Sequence, residues 1–280
     1  MNGRDAFRAW IGRTETAQDI AAASPVARLA ATLDAGDPPP KLGDPVPPGW
    51  HWLYFLDAVP MRALGRDGHA ARGAFLPPFP QPRRMWAGGK LKFGTPLRIG
   101  DAIEKKSEIA DIAHKLGRTG PLDFCTVRHV VRGPAGIAVE EEQSLVYRED
   151  PKPGDSAAPE AAPSGAEFHR RIAPDPVMLF RFSALTFNGH RIHYDQPYVT
   201  EVEGYKGLVV HGPLLAILLM ELVRRERPGA RLDEFAYRGF RPIMCEGEFR
   251  IAGKAAAGGL LLWAEDQSGA LAMRAEATLA

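Results

Sequence analysis

The chain has little cysteine, no long apolar run and no excess of charge of either sign. Its two cysteines, Cys125 and Cys245, are far apart and outside any CxxC pair, which argues against a disulfide framework or a metal knuckle and leaves two free, buried thiols as the expectation. No stretch approaches the about 18 apolar residues of a membrane span. The start, MNGRDAFRAWIGRTETAQD, lacks the hydrophobic centre of a secretory signal. A cytoplasmic protein without a membrane partner is expected. Lys and Arg number 35 against 34 Asp and Glu, so there is no basic field to favour nucleic acid. GxGxxG and Walker loops are missing, as is HExxH, and the expectation is no nucleotide cofactor, no metal and no other cofactor.

What is present is apolar residue in quantity: 45% of 280 residues is hydrophobic and 25% charged, enough for a sizeable core in one large domain or two ordinary ones. Residues 151–166, PKPGDSAAPEAAPSGA, combine Pro, Gly, Ser and Ala and read as a linker between residues 1–150 and 167–280. The first half opens with helix candidates at 6–11 and 19–33. From Leu91 it turns to period-two runs, KLKFGTPLRIGD, AIEKKSEIADIAHK, DFCTVRHVVRG and GIAVEEEQSLVYRE, which describe antiparallel strands between Gly and Pro turns.

In the second half residues 213–227 read as a helix. Pro213 sits at its first position, Arg224, Arg225 and Arg227 face the dipole in its last turn, and Pro228-Gly229 stops it. Its interior, LLAILLMELV, is apolar on nearly every side and should be buried. Strand-like EFAYRGFRPIM, GEFRIAGKAA, LLLWAEDQ and ALAMRAEATL follow. A buried helix followed by antiparallel strands requires a sheet wrapped around that helix, and GTPLRIGDAIEKKSEI echoes FRPIMCEGEFRIAGKA. The expected fold is α+β, a double hot-dog with two antiparallel sheets, each around a central helix.

The densest polar segment is FRFSALTFNGHRIHYD, residues 180–195, which packs a carboxamide, two imidazoles, a guanidinium, a phenol and a carboxylate into eight positions. It resembles the signature of the MaoC-like, (R)-specific enoyl-CoA hydratases. In that pattern Asn188 stands at the catalytic Asp, His190 at an Asn and His193 at the catalytic His. TFNGHRIHYD is more similar still to type 2 hydroxyacyl-thioester dehydratases and mesaconyl-CoA or itaconyl-CoA hydratases, and KLKFGTPLRIGD with LGRTGPLDFCTVRHVV resembles their N-terminal domain. The resemblance implies a hydro-lyase acting on an acyl-CoA thioester, with a first half that keeps the fold without the catalytic pair.

A carboxamide cannot take a proton from water, so Asn188 can only orient a water or substrate. His193 is left as the proton carrier, since an imidazole near pKa 6.5 can activate water for attack on the β-carbon and later return the proton. Val209-Val210-His211-Gly212-Pro213 leads into the buried helix, so the free N–H of Gly212 would point from a positive helix end at the thioester oxygen; the resembled family has its oxyanion donor at this His-Gly step. The alternative is that Gly212 only makes a turn before Pro213. His190, Arg191, Tyr194 and His211 are candidate substrate contacts, and Lys92, Arg238 and Arg241 candidates for coenzyme A phosphates. Three alternatives stay open: His190, His193, Asp195 and His211 as metal ligands, a hot-dog acyl-CoA thioesterase, and a non-catalytic acyl-CoA binder. A homodimer is compatible with the expected fold.

Overall fold

A computed structural model describes residues 5–117, 120–150 and 158–280. Ten antiparallel strands form one continuous sheet in the order β1-β3-β4-β5-β2-β7-β10-β9-β8-β6. The first half supplies β1 (Thr14–Ile20), β2 (Arg83–Phe93), β3 (Ala102–Gly117), β4 (Gly120–Gly133) and β5 (Gly136–Arg148). The second supplies β6 (Phe168–Ile172), β7 (Leu232–Gly239), β8 (Phe249–Ala256), β9 (Gly259–Glu265) and β10 (Leu271–Leu279). The two expected sheets are thus fused edge to edge: β2 pairs with β7 from Gly88 opposite Arg238 to Lys92 opposite Glu234. Pairing these edges removes two exposed rows of backbone donors and acceptors.

Helix α3 (Gly212–Glu226) begins one residue before the expected start and buries every side chain from Leu214 to Val223. At its far end Arg224 forks between Glu221 and Asp37, at 2.6 Å from each. In the first half the central position goes to the shorter α1 (Ala23–Thr32), with Val26 and Leu29 inward, and to Trp50 and Leu53 of a short turn. These residues and α3 belong to one hydrophobic core, to which β2, β3, β8 and β9 contribute Leu91, Ile103, Ile251 and Leu262. The halves divide the strands but share the core.

Three expectations need correcting. Residues 6–11 are a 3-10 turn over Asp5–Trp10. The helix expected at 19–33 starts only at Ala23, because residues 14–20 pair along their whole length with β3; the Asp19 carboxylate accepts N–H groups from Ile20 and Phe55 and so holds the strand end open. Strand β2 begins at Arg83, eight residues before the period-two signal. Of the expected linker, residues 151–157 lie outside the described residues. Residues 158–166 lie along the second half, where Ala162 donates to Gly269 O, Leu271 to Glu160 O, and Lys254 to Ser164 O.

Both cysteines are free, Cys125 buried and Cys245 half-buried; Cys245 lies between β7 and β8 and not in a strand. Among the described residues no helix is long and apolar enough to cross a membrane.

Candidate active site

Helix α2 (Pro176–Leu185) delivers the signature segment. Asp175 caps it by accepting the Met178 N–H at 2.7 Å, and Pro176 occupies the first turn, where no N–H is needed. The helix ends as Thr186 bonds back to Phe182 O, and Phe187 takes a positive φ of 49°, an uncommon conformation for a residue with a side chain. That turn throws Asn188 into a cleft of about 2570 Å³, lined also by His190, His193 and Gly212. A volume above the usual range for drug-sized ligands, about 300–1,000 Å³, suits a long ligand with a bulky head group.

His193 is 6% exposed. Its Nδ1 lies 2.6 Å from Val209 O; a carbonyl can only accept, so Nδ1 carries the proton and Nε2 keeps a lone pair. Val209 is itself fixed by its N–H on Ile192 O and by its bridge to Met244. Burial, reinforced by the charge His69 would carry, holds the His193 pKa down to about 4 against the pull of Val209 O. The imidazole is therefore neutral at ordinary pH.

Asn188 turns its Oδ1 back onto the His190 N–H at 3.0 Å. This closes a local turn and leaves only the NH₂ end for a ligand. Gly212, at the start of α3, has no backbone acceptor for its N–H among the described residues. A Cβ there would lie 2.9 Å from the Trp86 ring, which is why this helix start has no side chain. Trp86 stacks on Tyr237 at 4.3 Å and forms a wall over the helix end.

The expected substrate contacts separate into two groups. His190 lines the cleft. Arg191 and Tyr194 line it too, but their polar ends are engaged: Arg191 ion-pairs Asp195 at 2.8 Å and lies over the Tyr198 ring, and the Tyr194 hydroxyl donates to Gly189 O. His211 does not line the cleft. It is fully buried behind His193, ring on ring at 3.5 Å, with Nε2 beside Ser183 Oγ at 2.8 Å. Burial, then His193 and His190, hold its pKa well below the ordinary value. Of the expected phosphate contacts only Arg241 lines the cleft, paired with Asp266; Lys92 and Arg238 are exposed on β2 and β7.

Two groups escaped the sequence reading. One is His69 with Asp67, from the Pro-rich part of the first half. Asp67 Oδ2 accepts from His69 Nδ1 at 2.9 Å, and the His69 ring lies 4.1 Å from that of His190, itself 5.3 Å from His193. His69, His190, His193 and His211 thus form a column, and all four are driven toward the neutral form, chiefly by burial. Arg84 of β2 lines the cleft, and its charge opposes protonation of both His69 and His190.

Asp67, His69 and His190 hold one ligand-type atom each within 4.8 Å of one another. Asp67 Oδ2 and His69 Nδ1 are hydrogen-bonded to each other, so the trio reads as an acid–base pair beside a third imidazole. Nor do the four residues weighed as metal ligands come together: Asp195 is taken by Arg191 and by the Tyr198 N–H, and His211 by Ser183.

The second group is Glu141, fully buried at the other side of the cleft. It accepts from Trp52 at 3.1 Å and Gln143 at 2.7 Å, with His51 Nε2 at 3.3 Å. Burial alone would raise its pKa, but His51, His129 and Gln143 hold it down to about 2.

Residues 49–245 match the family model of hydroxyacyl-thioester dehydratase type 2. The chain is 44% identical over 276 residues to mesaconyl-C(4)-CoA hydratase of Chloroflexus aurantiacus, with 98% of each chain covered. Among solved structures it is similar to HtdX of Mycobacterium tuberculosis, with TM-score 0.67 at 16% identity, covering 96% of this chain and 100% of that one. It is also similar to a conserved protein of the same organism with a double hot-dog fold, with TM-score 0.56 at 15% identity, covering 96% of each chain. The architecture is therefore the double hot-dog, and the chain belongs to the hydroxyacyl-thioester dehydratase type 2 family.

Proposed function

We propose that this chain catalyses the reversible hydration of an enoyl-CoA thioester, and that its substrate carries a second, free carboxylate as a mesaconyl-CoA does. The observation that carries the first part is the pairing of a neutral imidazole, His193, whose Nε2 is left as an acceptor by the Nδ1–H to Val209 O, with a free N–H at the start of α3 in the same cleft. A water held at Nε2 is aimed at the β-carbon, and the charge that builds on the thioester oxygen meets the Gly212 N–H. Such a donor is typically worth about 2.7–4 kcal/mol of transition-state stabilisation. Asn188 offers its NH₂ group to the water or the substrate. Arg191 and Tyr194 hold the loop in shape through Asp195 and Gly189 O, His190 closes the cleft beside them, and His211 backs His193.

The second part is supported by the name of the Chloroflexus relative and by Arg84, a cleft-lining cation beside the Tyr147 hydroxyl. It lies near His69 and His190, whose protonation its charge opposes, and on this reading it meets the free carboxylate of the acyl group.

The test is a panel of crotonyl-CoA, longer linear enoyl-CoA, mesaconyl-CoA and itaconyl-CoA, followed by loss of the conjugated chromophore and by release of free thiol. Hydration is expected, with mesaconyl-CoA preferred over crotonyl-CoA. Thiol release with the chromophore intact would establish a thioesterase instead, and binding without turnover across the panel a non-catalytic carrier.

A further inference from the structure

The MaoC-like pattern that the signature segment resembles has a carboxylate where this chain has Asn188, and Asn188 Oδ1 is occupied by its own loop. We propose that Asp67 and His69 of the first half supply the carboxylate-backed base that position 188 lacks, so that the active site is assembled from both halves of the chain. The inference rests on the hydratase reading above.

Three observations carry it. First, the two imidazoles are held in the same tautomer. Asp67 fixes the proton of His69 on Nδ1, as Val209 O does for His193, so each leaves an Nε2 lone pair with no protein partner among the described residues. Both residues line the same cleft, with the His190 ring between theirs.

Second, the backing groups differ in charge. An imidazole that takes a proton in the transition state is stabilised by a carboxylate at its Nδ1–H, the arrangement of the Ser-His-Asp triad; His193 has only a neutral carbonyl there. The charges around His69 are Asp67, which favours its protonation, and Arg84 and Arg72, which oppose it, with His190 in ring contact.

Third, the position of the pair is built. The Arg191 N–H donates to Asp67 O at 2.9 Å and Arg191 Nη1 to Arg66 O at 3.1 Å. Gly68, at φ +87°, lies so close to the signature loop that a Cβ would fall 1.9 Å from Gly189 O. The turn carrying Asp67 and His69 is thereby clamped onto the loop carrying Asn188 and His190.

In the hydration direction the water oxygen forms its bond to the β-carbon while one O–H bond breaks and that proton passes to Nε2 of His69. The displaced π pair moves to the α-carbon and thioester oxygen, where the Gly212 N–H receives it. The His69 imidazolium, paired with Asp67, then gives the same proton to the α-carbon. H and OH have been added, both imidazoles end neutral, and no other reactant is consumed. His69 is on this account a catalytic residue, and Asp67 a positioning residue acting through it.

The test compares full-length wild type, His69→Ala and Asp67→Asn on the preferred enoyl-CoA over pH 4–9, with thermal melts to confirm folding. His69→Ala is expected to lower kcat by about 10²–10⁴, the usual worth of a positioned acid–base group, with little change in KM. Asp67→Asn leaves the backbone clamp intact, so it carries the test should His69→Ala fail to fold. It removes a charge that raises the His69 pKa, so its acid limb in kcat/KM should move to lower pH while the plateau falls. Retention of kcat within about tenfold in His69→Ala, an unmoved acid limb in Asp67→Asn, or loss of activity on chelation with recovery on adding a divalent metal would each overturn the assignment. Wild type that hydrates nothing in the panel overturns the hydratase reading and this inference with it.

Discussion

The column of neutral histidines makes the fold sensitive to acid. A histidine whose pKa is lower in the folded than in the unfolded chain binds its proton preferentially when unfolded. Its neutral form is compatible with the fold above the unfolded pKa near 6.5, and stability is lost as pH falls through that value toward the folded pKa. For His193, with a folded pKa of about 4, the loss accumulates between about pH 6.5 and 4 and totals about 3 kcal/mol. His69, His190 and His211 shift in the same direction, so their losses add. That sum is a large share of the about 5–15 kcal/mol by which domains are stable. The assay is urea unfolding by tryptophan fluorescence at intervals from pH 8 to 4.5. The midpoint should be flat above pH 7 and drop steeply below 6.5, and His193→Gln should remove about one proton from that slope. A midpoint unchanged between pH 7.5 and 5, or a slope that His193→Gln leaves intact, would refute the claim that the column is buried and neutral.

Four further outcomes follow from the same geometry. His193→Ala, which removes the Nε2 that holds the water in the proposed reaction, should lower kcat by about a hundredfold, and Asn188→Ala, which removes one orienting amide, distinctly less; steady-state kinetics giving the reverse order would remove His193 from the centre. Gly212→Ala places a methyl against the Trp86 ring, and a displacement of the helix start on the scale of 1 Å should lower kcat by about a hundredfold without unfolding the chain, read by kinetics beside circular dichroism. Arg84→Gln should lower kcat/KM for mesaconyl-CoA by about 10–100-fold, the worth of a charged hydrogen bond, and leave crotonyl-CoA nearly unaffected; equal losses on both substrates would dissociate Arg84 from a carboxylate. Glu141→Ala strands the buried His51 and the half-buried donors of Trp52 and Gln143 and should cost about 3–5 kcal/mol of stability, measured by denaturant unfolding.

Much of the architecture is written locally. The terminal signals of α3 lie within its own sequence, with Pro213 at one end and Arg224, Arg225 and Pro228-Gly229 at the other. Strands β3, β4 and β5 show their period because one face is buried and the other wet. Strand β1 shows none, since six of its seven residues are exposed; it exists because β3 offers it an edge, information held some 90 residues further on. Helix α2 merges into the signature segment without a change of polarity, and its start is visible only in the Asp175-Pro176 cap. The motif residues were legible for the opposite reason. Asn188, His190 and His193 are close in sequence and reach the cleft together through a turn coded by their own neighbours.

Asp67 and His69 follow neither pattern. They lie in a Pro- and Gly-rich stretch without periodicity, and Asp-Gly-His by itself is a common turn. Their significance arises only when β2 and β7 join the halves and the turn at residues 66–69 meets the loop at 188–191. On the proposed assignment, a chain with an amide at position 188 draws its carboxylate-backed base from the other half. With a fused sheet and one core, the two halves need not each hold a complete site, and on that assignment the first half faces the cleft with a base. The same logic accounts for the engagement of Arg191 with Asp195 and Arg66 O. In the signature it reads as an anion contact. In the fold it is the clasp between halves, and its replacement by Ala should loosen the Asp67–His69 turn and lower kcat on charged and neutral substrates alike, whereas an anion-binding role would spare crotonyl-CoA.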